Sequence, residues 1–281
     1  MWLTTVLDSL PSLLAGGRDA ALDATSLALL MGITPPSELR PARIGLRHVI
    51  AALREGHAMY RATLGTSTAY AAFFVLIGAL LFLALDHAEI APLSLSVAGG
   101  FMLVGPALLA GFFALADCRE SGEAPRLGHV WQGFRGLPRD GWAISFVCAL
   151  LLLIWLTDAG TLYGFMVGQT PTTFRHFMTG QTSATKFVAF SSLMGAALAL
   201  IIFTVSAFSI PLIHYRRATL VRAVVASARA VFGQFPIMLC WASLLAGVII
   251  ASAWMLPLLL YTLPVMAYAS RALYRQVLPP V

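Results

Sequence analysis

Residues Pro236 to Ser270 read PIMLCWASLLAGVIIASAWMLPLLLYTLPVMAYAS, 35 residues without one charged side chain. A helix rises about 1.5 Å per residue and a bilayer core is about 30 Å thick, so about 20 apolar residues cross it once. The run is too long for one upright crossing and barely long enough for two with a turn. Its apolar residues cover every side of a helix, so lipid or protein must surround it on all faces. Whether it crosses once or twice decides the number of spans and the side on which the chain finishes.

Four further runs extend upstream: Thr68 to Leu85, Pro92 to Ala116, Gly141 to Asp158 with an extension toward Gly168, and Phe187 to Ile213. Counting alone gives five or six crossings. Basic residues decide between them. Arg40, Arg43, Arg47, Arg54 and Arg61 precede the first run. Arg119, Arg126, Arg135 and Arg139 separate the second from the third, and Arg216, Arg217, Arg222 and Arg229 separate the fourth from the last. The alternate connections are poor in Lys and Arg, so the positive-inside rule puts the N-terminus in the cytoplasm. Arg271 and Arg275 then require the final run to double back near Trp254 to Pro257. The expected fold is all-α: a polytopic transmembrane bundle of six spans arranged as three hairpins, each preceded by a basic amphipathic interfacial helix.

Composition agrees. Hydrophobic residues make up 59% and charged residues 11%, less than half the usual charged share of about 25%, so little is left to clothe a water-facing surface. The net charge of +6 is spread in short groups between apolar runs. It reports membrane orientation and argues against nucleic-acid binding. Within residues 1–40, Met1 to Leu14 carries no basic n-region and is followed by acidic Asp19 and Asp23, unlike a secretory signal. The segment carries an amphipathic spacing of Leu3, Val6, Leu7, Leu10, Leu13 and Leu14, expected as a cytoplasmic helix on the membrane surface or a partner. Residues 41–281 form the single membrane domain. Cys118, Cys148 and Cys240 lack the close spacing of a disulfide framework or metal knuckle and read as packing residues.

The three basic segments can be laid over one another, with His48 to Arg54, His129 to Arg135 and Ala223 to Arg229 aligned on their arginines. Each precedes a hairpin whose returning half carries a proline: Pro106, Pro211 or Pro264. Repeat units of 41–118, 125–215 and 218–275 follow.

The stretches Gly105 to Gly111 with the polar turn Glu120 to Arg126, Phe208 to Leu212, and Leu263-Pro264 leading to Tyr274-Arg275 resemble a family of bacterial integral membrane proteins known as domain of unknown function 2189. The resemblance runs from Arg43 to the C-terminus. It implies a membrane fold and no established activity, although some members carry a cytochrome c oxidase label. The family's histidines after the last proline correspond here to Tyr268 and Ala272.

Haem needs axial side chains held inside the bundle. His48, His57 and His129 fall in amphipathic segments, His87 and His176 in outer connections, and His214 at a span end, so no haem, metal or other cofactor is expected. Met102, Met194, Met238 and Met255 read as packing. Ion-coupled transport places an ionisable group near midplane; none is found. Asp158 has risen about 25 Å from Gly141 toward the outer headgroups, and Asp86, Glu89 and Asp117 lie at span ends or beside them.

Gly160, Gly164 and Gly168 share one helical face, open to close packing within the chain or against another subunit. Pro106, Pro211 and Pro264 are helix-break candidates. Arg54, Arg135 and Arg229 mark surfaces for anionic lipid, with a cytoplasmic protein as the alternative. No catalytic motif is present. The expected role is a non-enzymatic protein of the bacterial inner membrane, with both termini cytoplasmic, acting as an accessory or assembly subunit of a larger complex; the oxidase label points to a respiratory one. The alternative is a carrier for a lipid-like or apolar small molecule.

Overall fold

The structure, a computed structural model, describes residues 39–88, 105–166 and 182–279. Nearly all of the expected N-terminal segment 1–40, the first half of the second expected span, and Gly168 lie outside the described residues.

Among the described residues the chain is all-helical. Ten helices follow in order: α1 Leu46–Ala62, α2 Leu64–His87, α3 Gly105–Glu120, α4 Leu127–Gly136, α5 Arg139–Met166, α6 Thr182–Ser206, α7 Ser209–His214, α8 Leu220–Gly233, α9 Phe235–Trp254 and α10 Leu256–Val277. Among the described residues, five stretches are long and apolar enough to cross a bilayer: Leu64–His87, Arg139–Met166, Ala189–His214, Phe235–Ser252 and Leu256–Val277. Only the second half of the remaining expected span is described, as α3.

The long run beginning at Pro236 is two helices meeting at Met255. In one straight helix, Ser252 and Thr262 would stand about 15 Å apart. Instead the Thr262 hydroxyl donates to Ser252 Oγ at 2.9 Å, so the chain reverses between them. Helix α10 does not end with the apolar run at Ser270. It continues to Val277 and carries Arg271, 2% exposed, within the bundle. Charge ends the apolar count at Ser270, but the backbone stays helical through Arg271 to Val277.

Amphipathic α1 lies along α10, α4 along α3, and α8 along α6 and α7. Each basic helix thus rests on a proline-bearing segment, and the first rests on the last. Small residues allow the close approach. A Cβ on Gly56 would sit 2.7 Å from Ala269 N and Val265 O, and one on Gly133 would sit 2.9 Å from Ala110 O. The helix starts also refine the repeat register. Leu46, Leu127 and Leu220 each open their helix; Arg54 and Arg135 stand at equal distances from that start, whereas Arg229 is one residue farther on.

The prolines behave differently. Pro211 has no N–H for the Ala207 carbonyl and its ring crowds that carbonyl; the helix is interrupted at Ala207–Phe208. Ser227 on α8 mends the gap, accepting from Phe208 N at 3.2 Å and donating to Thr204 O at 2.7 Å. Helix α10 continues through Pro264, so no break occurs there. Pro106 stands in the first described turn of α3.

Outward faces of α2 and α5 are apolar: Phe73, Leu80, Phe146 and Leu153 are each more than half exposed. In water this would be untenable; in lipid it is the expected exterior. Gly56→Ala should destabilise the fold by about 1–3 kcal/mol, because its methyl meets backbone that cannot step aside. Gly65→Ala, where a Cβ meets nothing within 4 Å, should be neutral or stabilising. Thermal unfolding of both variants in one detergent checks the difference.

Candidate functional site

The C-terminal ends of α3 and α7 and the last turns of α10 meet at one end of the bundle, around Arg271. Asp117 and Glu120, three residues apart on α3, share a face; so do Arg271 and Arg275 on α10. Arg271 Nη1 and Nη2 donate to Glu120 Oε1 and Oε2 at 2.7 and 2.8 Å, the two-pronged geometry natural to a guanidinium. Nη2 also reaches Asp117 Oδ1, and Nε donates to the Tyr215 hydroxyl at 2.6 Å. That hydroxyl in turn donates to Asp117 Oδ1 at 3.0 Å. His214 Nε2 lies 3.4 Å from Asp117 Oδ2. Arg275 Nη1 and Nη2 donate to Glu120 Oε1 and Oε2 at 2.8 and 2.6 Å.

Rings support the guanidinium groups. Arg271 lies over Tyr215, Tyr215 stacks on Tyr274 with planes 8° apart, and Arg217 covers Tyr274. Arg217 also donates to the Leu278 and Pro279 carbonyls at 2.6 and 2.8 Å, tying down the C-terminal end of α10. Nearby, Asp140 Oδ2 accepts from Leu220 N at 2.8 Å, capping α8 with a carboxylate where its dipole favours one.

Two carboxylates face two guanidiniums, so the cluster is close to neutral. Hydrogen bonds from Arg271 outweigh burial and, with Arg275, hold the Glu120 carboxyl down to about 2. At Asp117 burial pushes upward, but the bonds from His214, Arg271 and Tyr215 and the Arg271 charge together keep the group below the usual carboxylate range. Both acids are ionised at neutral pH and committed to arginine. Such a group clamps three helix ends and is poorly suited to carrying a proton.

A second cluster adjoins the first along the chain. Cys118 Sγ lies 3.5 Å from His129 Nδ1 and 3.8 Å from His129 Nε2, with Glu123 Oε2 4.0 Å from the sulfur and 3.8 Å from Nε2. Between α5 and α6 lies a cavity of about 200 Å³ lined by Trp155, Asp158, Phe165, Ser191 and Met194 among others. The buried Trp155 Nε1 has no hydrogen-bond partner among the described residues. Its ring covers Gly195, where a Cβ would stand 2.8 Å from it.

Of the residues singled out in the sequence, Gly160 and Gly164 face open space among the described residues, with nothing there within 4 Å of an added Cβ. Arg54, Arg135 and Arg229 are exposed, and Arg135 lies over the exposed Trp131 ring. Asp117 and His214, read separately as span-end residues, are brought together. Sequence reasoning missed Arg271 as a hub and overlooked Glu120 and Tyr215. The available signal was the matched spacing of two acids on α3 and two arginines on α10. The Tyr268 hydroxyl lies 2.6 Å from Ser67 Oγ and accepts from Thr63 Oγ1 at 3.1 Å; Ala272 is buried.

Residues 93–214 match the family described as predicted integral membrane protein (DUF2189). No curated protein and no solved structure matches the chain significantly. The chain is an integral membrane protein with several apolar helices.

Acid should test the clamp. Glu120 titrates near 4.5 ordinarily and near 2 here. Between those values the unfolded chain takes up a proton that the folded chain refuses, so folding weakens as pH falls. This stabilisation should be complete above about pH 4.5 and fade toward pH 2. Arg271→Met should cost about 3 kcal/mol at neutral pH, the low end for breaking a buried pair, because Asp117 and Glu120 keep 36% and 37% of their side chains in water. It should also shrink the acid-dependent loss. Denaturation followed across that pH range in both proteins measures the two effects.

Proposed function

We propose that this chain is a non-enzymatic accessory or assembly subunit of a larger complex in the bacterial inner membrane, with six spans in three hairpins and both termini in the cytoplasm. One observation carries the reading. Among the described residues the glycine face of α5 is left open: an added Cβ at Gly160 or Gly164 meets nothing within 4 Å, whereas those at Gly56, Gly133 and Gly195 meet close neighbours. Against lipid tails a glycine gains nothing over a larger apolar residue, so an open small-residue face is best used by a second helix. The chemistry of the charged end supports the same role, since its acids and arginines are spent on one another. Anionic lipid is the expected partner of exposed Arg54, Arg135 and Arg229.

A carrier role is the second reading, favoured by the α5–α6 cavity with its Trp155 Nε1, unpaired among the described residues. An apolar molecule bearing a hydrogen-bond acceptor suits that cavity.

Solubilisation from native membranes in mild detergent, followed by particle-mass measurement, tests the subunit reading. The expected result is a mass well above one chain plus detergent, reduced by Gly160→Leu and Gly164→Leu together. A bare wild-type monomer would sink it, and co-purification of an apolar small molecule with that monomer would favour the carrier. For the six-span topology, a reporter joined after Val281 should read cytoplasm; periplasmic activity would overturn it.

A further inference from the structure

We propose that Cys118, Glu123 and His129 form a binding site for a divalent transition metal ion of the zinc class, at the junction of α3 and α4.

Backbone geometry assembles the three residues. Helix α3 ends in a turn where Glu123 N donates to Cys118 O at 3.1 Å and Gly122 N donates to Arg119 O at 3.1 Å. This is the paired closure of a helix with a left-handed residue just past its end. Gly122 supplies that conformation with φ +83°, a region costly for a residue with a Cβ. The turn folds Glu123 back beside Cys118. Three residues later α4 begins, with Arg126 as its N-cap and His129 in its first turn, which faces the same point. Contact between α4 and α3, with Gly133 against Ala110, holds the histidine there.

The donor atoms make a near-equilateral triangle. Cys118 Sγ to His129 Nε2 is 3.8 Å, Nε2 to Glu123 Oε2 is 3.8 Å, and Oε2 to Sγ is 4.0 Å. A point equidistant from all three lies about 2.2 Å from each, within the roughly 2.0–2.3 Å range of zinc bonds to sulfur, nitrogen and oxygen. Thiolate, imidazole and carboxylate are zinc's three protein ligand types, and the mixed set excludes magnesium and calcium, which prefer oxygen alone. Cys118 is buried and Glu123 exposed, so a fourth position toward solvent suits water.

Protons balance as follows. The metal–sulfur bond forms as the Cys118 S–H bond breaks, and that proton goes to solvent. His129 Nδ1 accepts from Arg126 N at 3.0 Å, so in the neutral ring the proton sits on Nε2. Binding through Nε2 moves that proton to Nδ1 by exchange with water, and Arg126 N turns to solvent. His48 provides an internal comparison. It stands at the same place in α1, and its Nδ1 accepts from Gly45 N at 3.0 Å, but it belongs to no such donor cluster among the described residues. Capping explains how both histidines are turned, whereas the thiol and carboxylate are found only at His129.

The test is cobalt titration of the full-length, metal-stripped protein in detergent. Wild type should bind one equivalent, with a thiolate-to-cobalt charge-transfer band and the visible bands of a four-coordinate ion, both erased by zinc. Cys118→Ser should abolish the charge-transfer band. Glu123→Gln and His129→Ala should each weaken binding by at least about 10-fold, the low end for losing metal-site support, and His48→Ala should leave it unchanged. Absence of a thiolate band in folded wild type, or retention of it in Cys118→Ser, would overturn the proposal. Should Cys118→Ser not fold, mass-spectrometric mapping of iodoacetamide labelling decides: equimolar zinc should protect Cys118 in wild type, and unprotected labelling would refute the site.

Discussion

Arg271 sets the geometry of this protein. A guanidinium carries a fixed fork of donors and an unrelieved charge, and inside an apolar bundle each must find an acceptor. Glu120, Asp117 and Tyr215 supply them from the ends of two other helical segments. A helix rises about 1.5 Å per residue, so slipping α3 or α10 by one position would break the contacts outright. The cluster therefore fixes the relative height of α3, α7 and α10. Desolvating ions is costly and their attraction offsets the cost only when geometry is good, so the arrangement gives definition to the helix ends more than net stability. The amphipathic helices follow from it, because each of the three clamped segments is the bed on which one of them lies.

The same demand, that buried polar groups be met inside the protein, governs the rest of the bundle. Where Pro211 interrupts the helix, Ser227 from a neighbouring helix bridges the separated Phe208 N and Thr204 O, as membrane helices with prolines commonly require. Gln234 straps the entry to α1, with its Oε1 accepting from Ile44 N at 2.6 Å and its Nε2 donating to Ala42 O at 2.9 Å. Tyr268 is tolerated deep in the core because Thr63 and Ser67 surround its hydroxyl. Trp155 departs from this pattern: its buried Nε1 lacks a partner among the described residues, and it is also where the packing leaves a cavity.

Much of the fold was legible because lipid imposes a length and a composition that sequence displays directly. The division of the long C-terminal run could be read from its excess over one crossing, and Met255 falls within the expected turn. Facing was harder. Gly160 and Gly164 form a visible stripe, but spacing says only that they share a side, and nothing in it tells that this side is open among the described residues while Gly56 and Gly133 are pressed against backbone. Arg271 was read as a marker of orientation because its acidic partners lie more than 150 residues away. Cys118 was judged by its distance from other cysteines. Its neighbours are instead a glutamate returned by a left-handed glycine turn and a histidine on the next helix, and that contact depends on backbone dihedrals.

Pairing also changes what the basic residues say about orientation. Anionic headgroups act on cations presented to them, each contributing about 1 kcal/mol near the surface. Arg271 is buried and, like Arg275, is bound to carboxylates, so neither offers its full charge to lipid. Arg54, Arg135 and Arg229 are exposed, one on each amphipathic helix. The exposed Trp131 beneath Arg135 adds an aromatic side chain of the type favoured at the membrane interface. In the proposed orientation the charge asymmetry therefore rests on Arg54, Arg135 and Arg229, while the arginines of α10 serve internal order. Sequence counting gives both groups the same weight; burial separates them.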